Sequence, residues 1–175
     1  MWCTSHTAEV LHQARHFGFT VSEHSFDWAD VKARRDAYVK RLNGIYISGL
    51  DKLGIKHVEG TASIAGPGTV NVAGEGGAVT EIKARRILVA VGGRPRLPPC
   101  VGAEHCDTSD SFFEWETQPK SVAFIGGGYI AVELAGVMNA LGTKVTLLAR
   151  SGLLKRFDVR SRVCVAVRLW LCVRG

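Results

Sequence analysis

Apolar residues recur at helical spacing through the first third of the chain and then switch to alternation with polar ones. Val10, Ala14 and Phe17 fall on one face of a short helix expected over residues 5–17. A stronger pattern follows. Asp27 can cap it, and Val31, Tyr38, Leu42, Ile45 and Leu53 recur along one face up to a stop at Gly54. At 1.5 Å per residue this is a rod of about 40 Å, long enough to lean on something larger than itself.

Beyond Gly54 the period becomes two. The runs IKHVEGTASIA, TVNVA, AVTEIKA and RRILVAVGG read as short strands, separated by GPG and GEGG turns. After Pro95 comes an irregular stretch, RPRLPPCVGAEHCD, then a short helix expected around Ser109–Trp115. Pro119 precedes the most informative segment, SVAFIGGGYIAVELAGVMNALGTKVTLLAR, residues 121–150.

That segment predicts strand, glycine-rich turn, helix and second strand. Gly126, Gly127, Gly128, Tyr129, Ile130 and Ala131 spell G-x-G-x-x-A directly after the apolar strand Ser121–Ile125. Gly126 suits a tight turn, Gly128 lets the backbone approach a pyrophosphate, and Ala131 lets the helix pack close to the strand. The helix start offers free N–H groups and its positive dipole end to phosphates. Strand, helix and second strand together are the context that makes the motif a dinucleotide site.

An NAD site places an acid at the end of the second strand to accept from the ribose 2′-hydroxyl. Here the strand ends Leu147, Leu148, Ala149, Arg150, with no acid before Asp158. Arg150, with Lys155 and Arg156 a turn later, suits a 2′-phosphate instead, which favours NADP.

Composition narrows the function further. The chain has 175 residues, 46% hydrophobic and 22% charged, enough for one good core or two small domains. Of its net charge of +6, four arginines lie in VRSRVCVAVRLWLCVRG, residues 159–175, which holds no acid. Aromatics are not interleaved with basic runs, so nucleic acid is not an expected partner. The five cysteines form no CxxC pair and no zinc spacing, and read as free thiols in a reducing compartment. His12 and His16 lack a third ligand nearby and read as solvated helix residues. The first residues lack the regions of a secretory signal, and the apolar run 163–173 is too short and arginine-broken to span a bilayer. No membrane role is expected.

IGGGYIAVELAGVMNALG, FDWADVKARRDAYVKRLNGIY, RILVAVGGRP and TSDSFFEW occur in one order along the chain. Together they resemble the FAD-dependent pyridine nucleotide–disulfide oxidoreductases, and among them the glutathione reductase branch. The likeness runs from about Met1 to Asp158. It implies an α/β fold with two FAD/NAD(P)-binding Rossmann-like domains, both incomplete, and a small β-meander. Residues 1–95 would be part of the FAD domain, 96–118 a linker, 119–158 the first βαβ unit of the NADP domain, and 159–175 an atypical tail.

The resemblance also implies roles. Tyr129 would shield the nicotinamide side of the flavin, and Glu133, one turn on, would stand near the nicotinamide. Arg150 and Arg156 would grip the 2′-phosphate; the loop SGLLKRFD is one residue shorter than is usual in the family, so Lys155 stays an alternative to Arg156. Thr61 and Ala62, after Gly60, would touch the adenosine part of FAD. Ala90, Val91 and Gly92 would form the turn by which the chain leaves the flavin domain. Read alone, these small residues at strand ends have a packing explanation. Tyr46 would line the glutathione disulfide site, and the full-length family is expected to be a homodimer.

In the family, electrons pass from NADPH to FAD, then to a C-x4-C cysteine pair, then to the disulfide substrate. The chemistry needs a low-pKa thiolate and a partner thiol. Cys100 and Cys106 have five residues between them and are not that motif, so no catalytic residue is assigned. The first glycine-rich FAD fingerprint and any His-Pro pair are also missing from the sequence. The resemblance therefore implies an internal slice of a longer enzyme, with a tail such as a shifted reading frame or retained intervening sequence would give. The parent activity implied is NADPH-dependent reduction of glutathione disulfide, with cytoplasmic or organellar location. The alternatives are an inactive NADP-binding fragment, or a related reductase acting on another disulfide such as trypanothione.

Overall fold

The computed structural model of the chain describes residues 1–155 except Glu23 and Ser151. Helix α1 spans Trp2–Ala14 and tightens into a 3-10 turn at Arg15–Phe17. It starts earlier than the apolar spacing implies. Ser5 Oγ donates to Trp2 O at 2.8 Å and Thr7 Oγ1 to Cys3 O at 2.9 Å, the back-bonding that lets hydroxyl residues sit inside a helix.

Helix α2 spans Trp28–Lys52. Asp27 caps it as the sequence predicts, its Oδ1 accepting from the Asp30 N–H at 3.1 Å. At the other end the Ile55 N–H reaches Leu50 O and the Gly54 N–H reaches Asp51 O, both at 3.0 Å. Gly54 takes the left-handed conformation (φ 67°) that this closing motif requires.

Two compact units share the chain: Met1–Asp36 with Leu97 onward, and Ala37–Arg96. They divide it differently from the cofactor modules expected from the sequence. The reason lies in tertiary packing. Helix α1 contacts helix α3 (Tyr129–Ala140), and Trp28 shares a core with Phe112 and Met138.

In the first unit, Phe112 is 2% exposed, edge-on to Trp28 at 6.3 Å between ring centroids and 4.9 Å from Trp115. Trp28 Nε1 donates to Trp115 O at 2.8 Å, so the indole's polar edge is satisfied where its ring is buried. The expected short helix is a 3-10 turn, Ser111–Glu114, which delivers Phe112 to this core. A charged belt lies beside it. Lys32 Nζ reaches Asp36 at 2.9 Å and Glu116 at 3.0 Å, and Arg35 bonds both Asp36 and the carbonyl of Phe113. The bond to Asp36, then that to Glu116, raises the Lys32 ammonium above its ordinary pKa. The bond from Lys32, then that from Arg35, lowers the Asp36 carboxyl.

Strands β4 (Ser121–Ile125) and β5 (Lys144–Leu148) pair in parallel, Ser121 opposite Lys144 and Ile125 opposite Leu148. Val122, Phe124, Val145 and Leu147 are half-buried on one face, and the alternate residues are exposed. Helix α3 closes on Gly142 (φ 87°), with Thr143 N–H to Met138 O and Gly142 N–H to Asn139 O, both at 3.0 Å. Gln118 Nε2 then donates to Leu141 O (2.8 Å) and to Thr143 Oγ1 (2.9 Å), and Thr143 Oγ1 donates to Pro119 O (2.9 Å). This network pins the start of β4 to the end of α3.

The second unit holds an antiparallel meander, β1 (Thr61–Gly66), β2 (Thr69–Ala73) and β3 (Val79–Lys83), in that order. Thr61 pairs with Ala73, and Val70 with Ile82. Gly60 is forced: at its φ of 150°, an added Cβ would stand 2.5 Å from Ala73 O.

Two strand expectations are corrected. Residues 55–60 form no strand, so β1 starts only at Thr61. Residues 85–93, RRILVAVGG, form none either. A strand exists only where a neighbour completes its hydrogen bonds, and among the described residues neither run pairs with the outer edge of β1 or of β3. Leu88 and Val91 are accordingly left 89% and 88% exposed.

Candidate functional site

The glycine loop links β4 to α3 on the carboxyl ends of the parallel strands, where ligands of such sheets bind. Each small residue has a structural reason. Gly126 has φ 148°, which strains any residue with a Cβ, and its N–H donates to Leu148 O at 2.9 Å, tying the loop to β5. A Cβ built at Gly126 would lie 3.5 Å from the Ala131 methyl, so α3 packs close to the turn as the motif predicts. Gly128 is the N-cap of α3 in extended backbone (φ −83°, ψ 173°), and a Cβ there would meet nothing within 4 Å. Gly128 thus leaves a free approach to the first N–H groups of the helix, which carry its positive end.

Tyr129 opens α3 and is 54% exposed; Ile130 beside it is 43% exposed. Glu133 is exposed at i+4 from Tyr129, so the two share a helix face. Arg150 is exposed just beyond β5, and Lys155 is exposed in the turn that follows. Arg156 lies outside the described residues, as does the tail 159–175. The βαβ unit therefore brings Gly126–Ala131 and Arg150 to one end of one sheet.

The remaining predicted residues are in the other unit. Thr61 and Ala62 are exposed on β1, while Ala90, Val91 and Gly92 are exposed outside any strand. No described hydrogen bond joins the two sets. Tyr46 is 69% exposed on α2. Surface hollows lie elsewhere: one of about 600 Å³ beside Arg85 and Arg86, and one of about 320 Å³ against the exposed face of β4 and β5. A ledge made by one βαβ unit is open by construction, so a hollow is not the mark to seek there.

Sequence reasoning passed over Leu154. It is buried, its backbone is left-handed (φ 49°), and its N–H donates to Gly127 O at 2.7 Å. The second leucine of a Gly-Leu-Leu run in a basic loop carries no signal of this in the sequence.

The family model for pyridine nucleotide-disulphide oxidoreductases matches residues 3–169. The chain belongs to that family. It is similar to the protein named glutathione reductase in three organisms. The Yarrowia lipolytica protein is 44% identical over 169 residues, covering 91% of this chain and 36% of its own length. That of Schizosaccharomyces pombe is 46% identical over 162 residues, covering 90% and 35%. The Burkholderia cepacia protein is 39% identical over 155 residues, covering 88% and 33%. The chain thus spans about a third of the length of these curated relatives.

The glutathione reductases of the family use FAD and NADPH. For a pyridine nucleotide the residues present fit: a glycine turn at positive φ, open space at Gly128, a helix N-terminus, and a cation at the end of the second strand. For FAD the fit is partial, since the described residues expected to touch it are exposed, and Ala90, Val91 and Gly92 lie outside any strand.

Proposed function

We propose that this chain carries the NADPH-binding segment, and part of the FAD-binding segment, of a glutathione-disulfide reductase. The reading rests above all on Arg150 standing where an NAD site would have an acid, at the end of the second strand of a G-x-G-x-x-A unit. NADPH supplies a hydride that the parent enzyme would pass through FAD and a cysteine pair to oxidised glutathione. The chain's own residues bind and orient. The N–H groups at the start of α3 receive the pyrophosphate, and Gly126 and Ala131 keep that helix end close to the strand. Arg150, with Arg156 or Lys155, grips the 2′-phosphate. Tyr129 covers the nicotinamide side of the flavin, and Glu133 faces the nicotinamide. Thr61, Ala62, Ala90, Val91 and Gly92 contact FAD, and Tyr46 contacts the glutathione disulfide. The domain division at residues 95 and 118, the homodimeric state and a cytoplasmic location belong to the same proposal.

Titration of the purified chain with NADPH and NADH, followed by nucleotide fluorescence, tests the site. Losing one charged hydrogen bond costs about 1.5–3 kcal/mol, so Arg150→Ala should weaken NADPH binding by about ten- to hundredfold. NADH binding should hardly change. Equal affinity for the two nucleotides in the unaltered chain would count against the 2′-phosphate reading.

A second reading, an NADP-binding module without catalysis of its own, is favoured by one observation. The sequence contains no C-x4-C pair. Oxidised glutathione, NADPH and FAD incubated with the purified chain separate the two: consumption of NADPH would exclude the inactive module.

A further inference from the structure

Among the described residues, Leu154 is the one non-glycine in left-handed backbone (φ 49°), and it is 8% exposed. Left-handed backbone places Cβ against the carbonyl that follows, so a leucine stays there only where its surroundings hold it. Here a buried side chain does so, and the backbone N–H it holds donates to Gly127 O at 2.7 Å. The turn after β5 is thereby strapped to the middle of the glycine loop.

The peptide between Gly127 and Gly128 is planar and trans, so its C=O and N–H point in opposite directions. Fixing the Gly127 carbonyl toward Leu154 turns the Gly128 N–H away from that turn. Gly128 is exposed, no described residue accepts from its N–H, and an added Cβ there meets nothing within 4 Å. We propose that Leu154 is a positioning residue for the dinucleotide: by clamping Gly127 it presents the Gly128 N–H to the pyrophosphate before the ligand arrives. The same strap fixes how far Lys155 lies from the glycine loop, which joins the grip on the pyrophosphate to the grip on the 2′-phosphate. This inference rests on the nucleotide-site reading above. It goes beyond that reading by assigning orientation to a residue that touches neither phosphate through its side chain.

Leu154→Pro removes the N–H and forbids the positive φ. ADP-ribose, which has the pyrophosphate, and 2′-AMP, which lacks it, serve as probes beside NADPH on the full chain. Misaiming one donor to a charged phosphate should weaken ADP-ribose and NADPH by about tenfold, and 2′-AMP by less than about threefold. Unchanged ADP-ribose binding, or equal weakening of all three ligands, would overturn the inference while leaving the nucleotide site standing. Binding of none of them by the unaltered chain overturns the nucleotide reading, and the inference with it. Amide hydrogen exchange on the unaltered chain gives a check that does not need the variant to fold. The Leu154 amide should exchange slowly without ligand, and the Gly128 amide should be fast alone and slow by about tenfold or more with ADP-ribose. A Gly128 amide already protected in the free chain, or a fast Leu154 amide, would also overturn it.

Discussion

The two compact units of this chain both combine helix with strand and differ in what they bury. The first unit closes Phe112, Met138 and Ala135 almost completely from solvent. It satisfies its indole edge, its helix ends and the start of its strand with hydrogen bonds that bridge distant residues. In the second, Val72 is the single hydrophobic residue below a tenth exposed, while Tyr46, Leu53, Ile64, Leu88 and Val91 each stand more than half exposed. A meander can complete its own ladder, and a βαβ unit can cover one face of its strands. Only the second arrangement also gathers chemistry at one point. Local hydrogen bonding is enough to draw a strand, but burial is what holds one in a stable core.

The two units should differ most at Phe112. Phe112→Ala should destabilise the first unit by about 3–5 kcal/mol, read as a lowered midpoint in urea unfolding. Leu88→Ala should change the unfolding free energy by no more than about 0.5 kcal/mol and leave the midpoint almost where it was. Similar losses at both positions would mean that Leu88 is buried in solution and the contrast is misdrawn.

Next in size are two glycines at positive φ, Gly126 and Gly60. Gly126→Ala and Gly60→Ala each force a Cβ into positive φ, a strain of about 1–3 kcal/mol. Their consequences should diverge. Gly126→Ala should also abolish measurable NADPH binding, whereas Gly60→Ala, which drives a Cβ against Ala73 O, should open the β1–β2 pairing and leave NADPH affinity as it was. Fluorescence titration beside hydrogen exchange of the β2 amides distinguishes them.

Hydrogen exchange on the unaltered chain sharpens the contrast without mutation. Amides of α3 and β5 should exchange at the slow limit set by unfolding of their unit, and those of residues 85–93 near the open-chain rate. With Leu88 and Val91 exposed, the chain should also bind a hydrophobic dye and be poorly soluble. A soluble monomer with uniformly slow amides and no dye binding would contradict both expectations.

The smallest effect belongs to the charged belt. The Asp36 carboxyl is lowered from its ordinary 3.8 by its bonds from Lys32 and then Arg35. Its contribution is present above pH 3.8 and is lost as pH falls through the lowered value. Lys32 is raised from 10.5, so its contribution is present below pH 10.5 and is lost as pH rises through the raised value. Asp36→Asn should therefore destabilise slightly and evenly across neutral pH, and the difference from the parent should vanish in acid. The Asp36 side chain is about half exposed, so added salt should shrink the effect.

Much of this was legible in the residues themselves. The cap at Asp27, the stops at Gly54 and Gly142, and the strand–turn–helix–strand around Gly126 are local features, set by period, by side-chain hydrogen bonding to nearby backbone, and by residues that tolerate positive φ. These depend on neighbours within a few positions and so can be read locally, as can the basic end of the second strand at Arg150. Tertiary structure decided the rest. Whether RRILVAVGG becomes a strand depends on a partner edge, which no pattern within the run can supply. That Trp28 and α1 pack with the βαβ segment, and that Leu154 holds Gly127 by a backbone N–H, are contacts between residues remote in the chain. Such contacts follow from which buried surfaces meet, and a backbone donor looks the same in every residue until the fold chooses its acceptor.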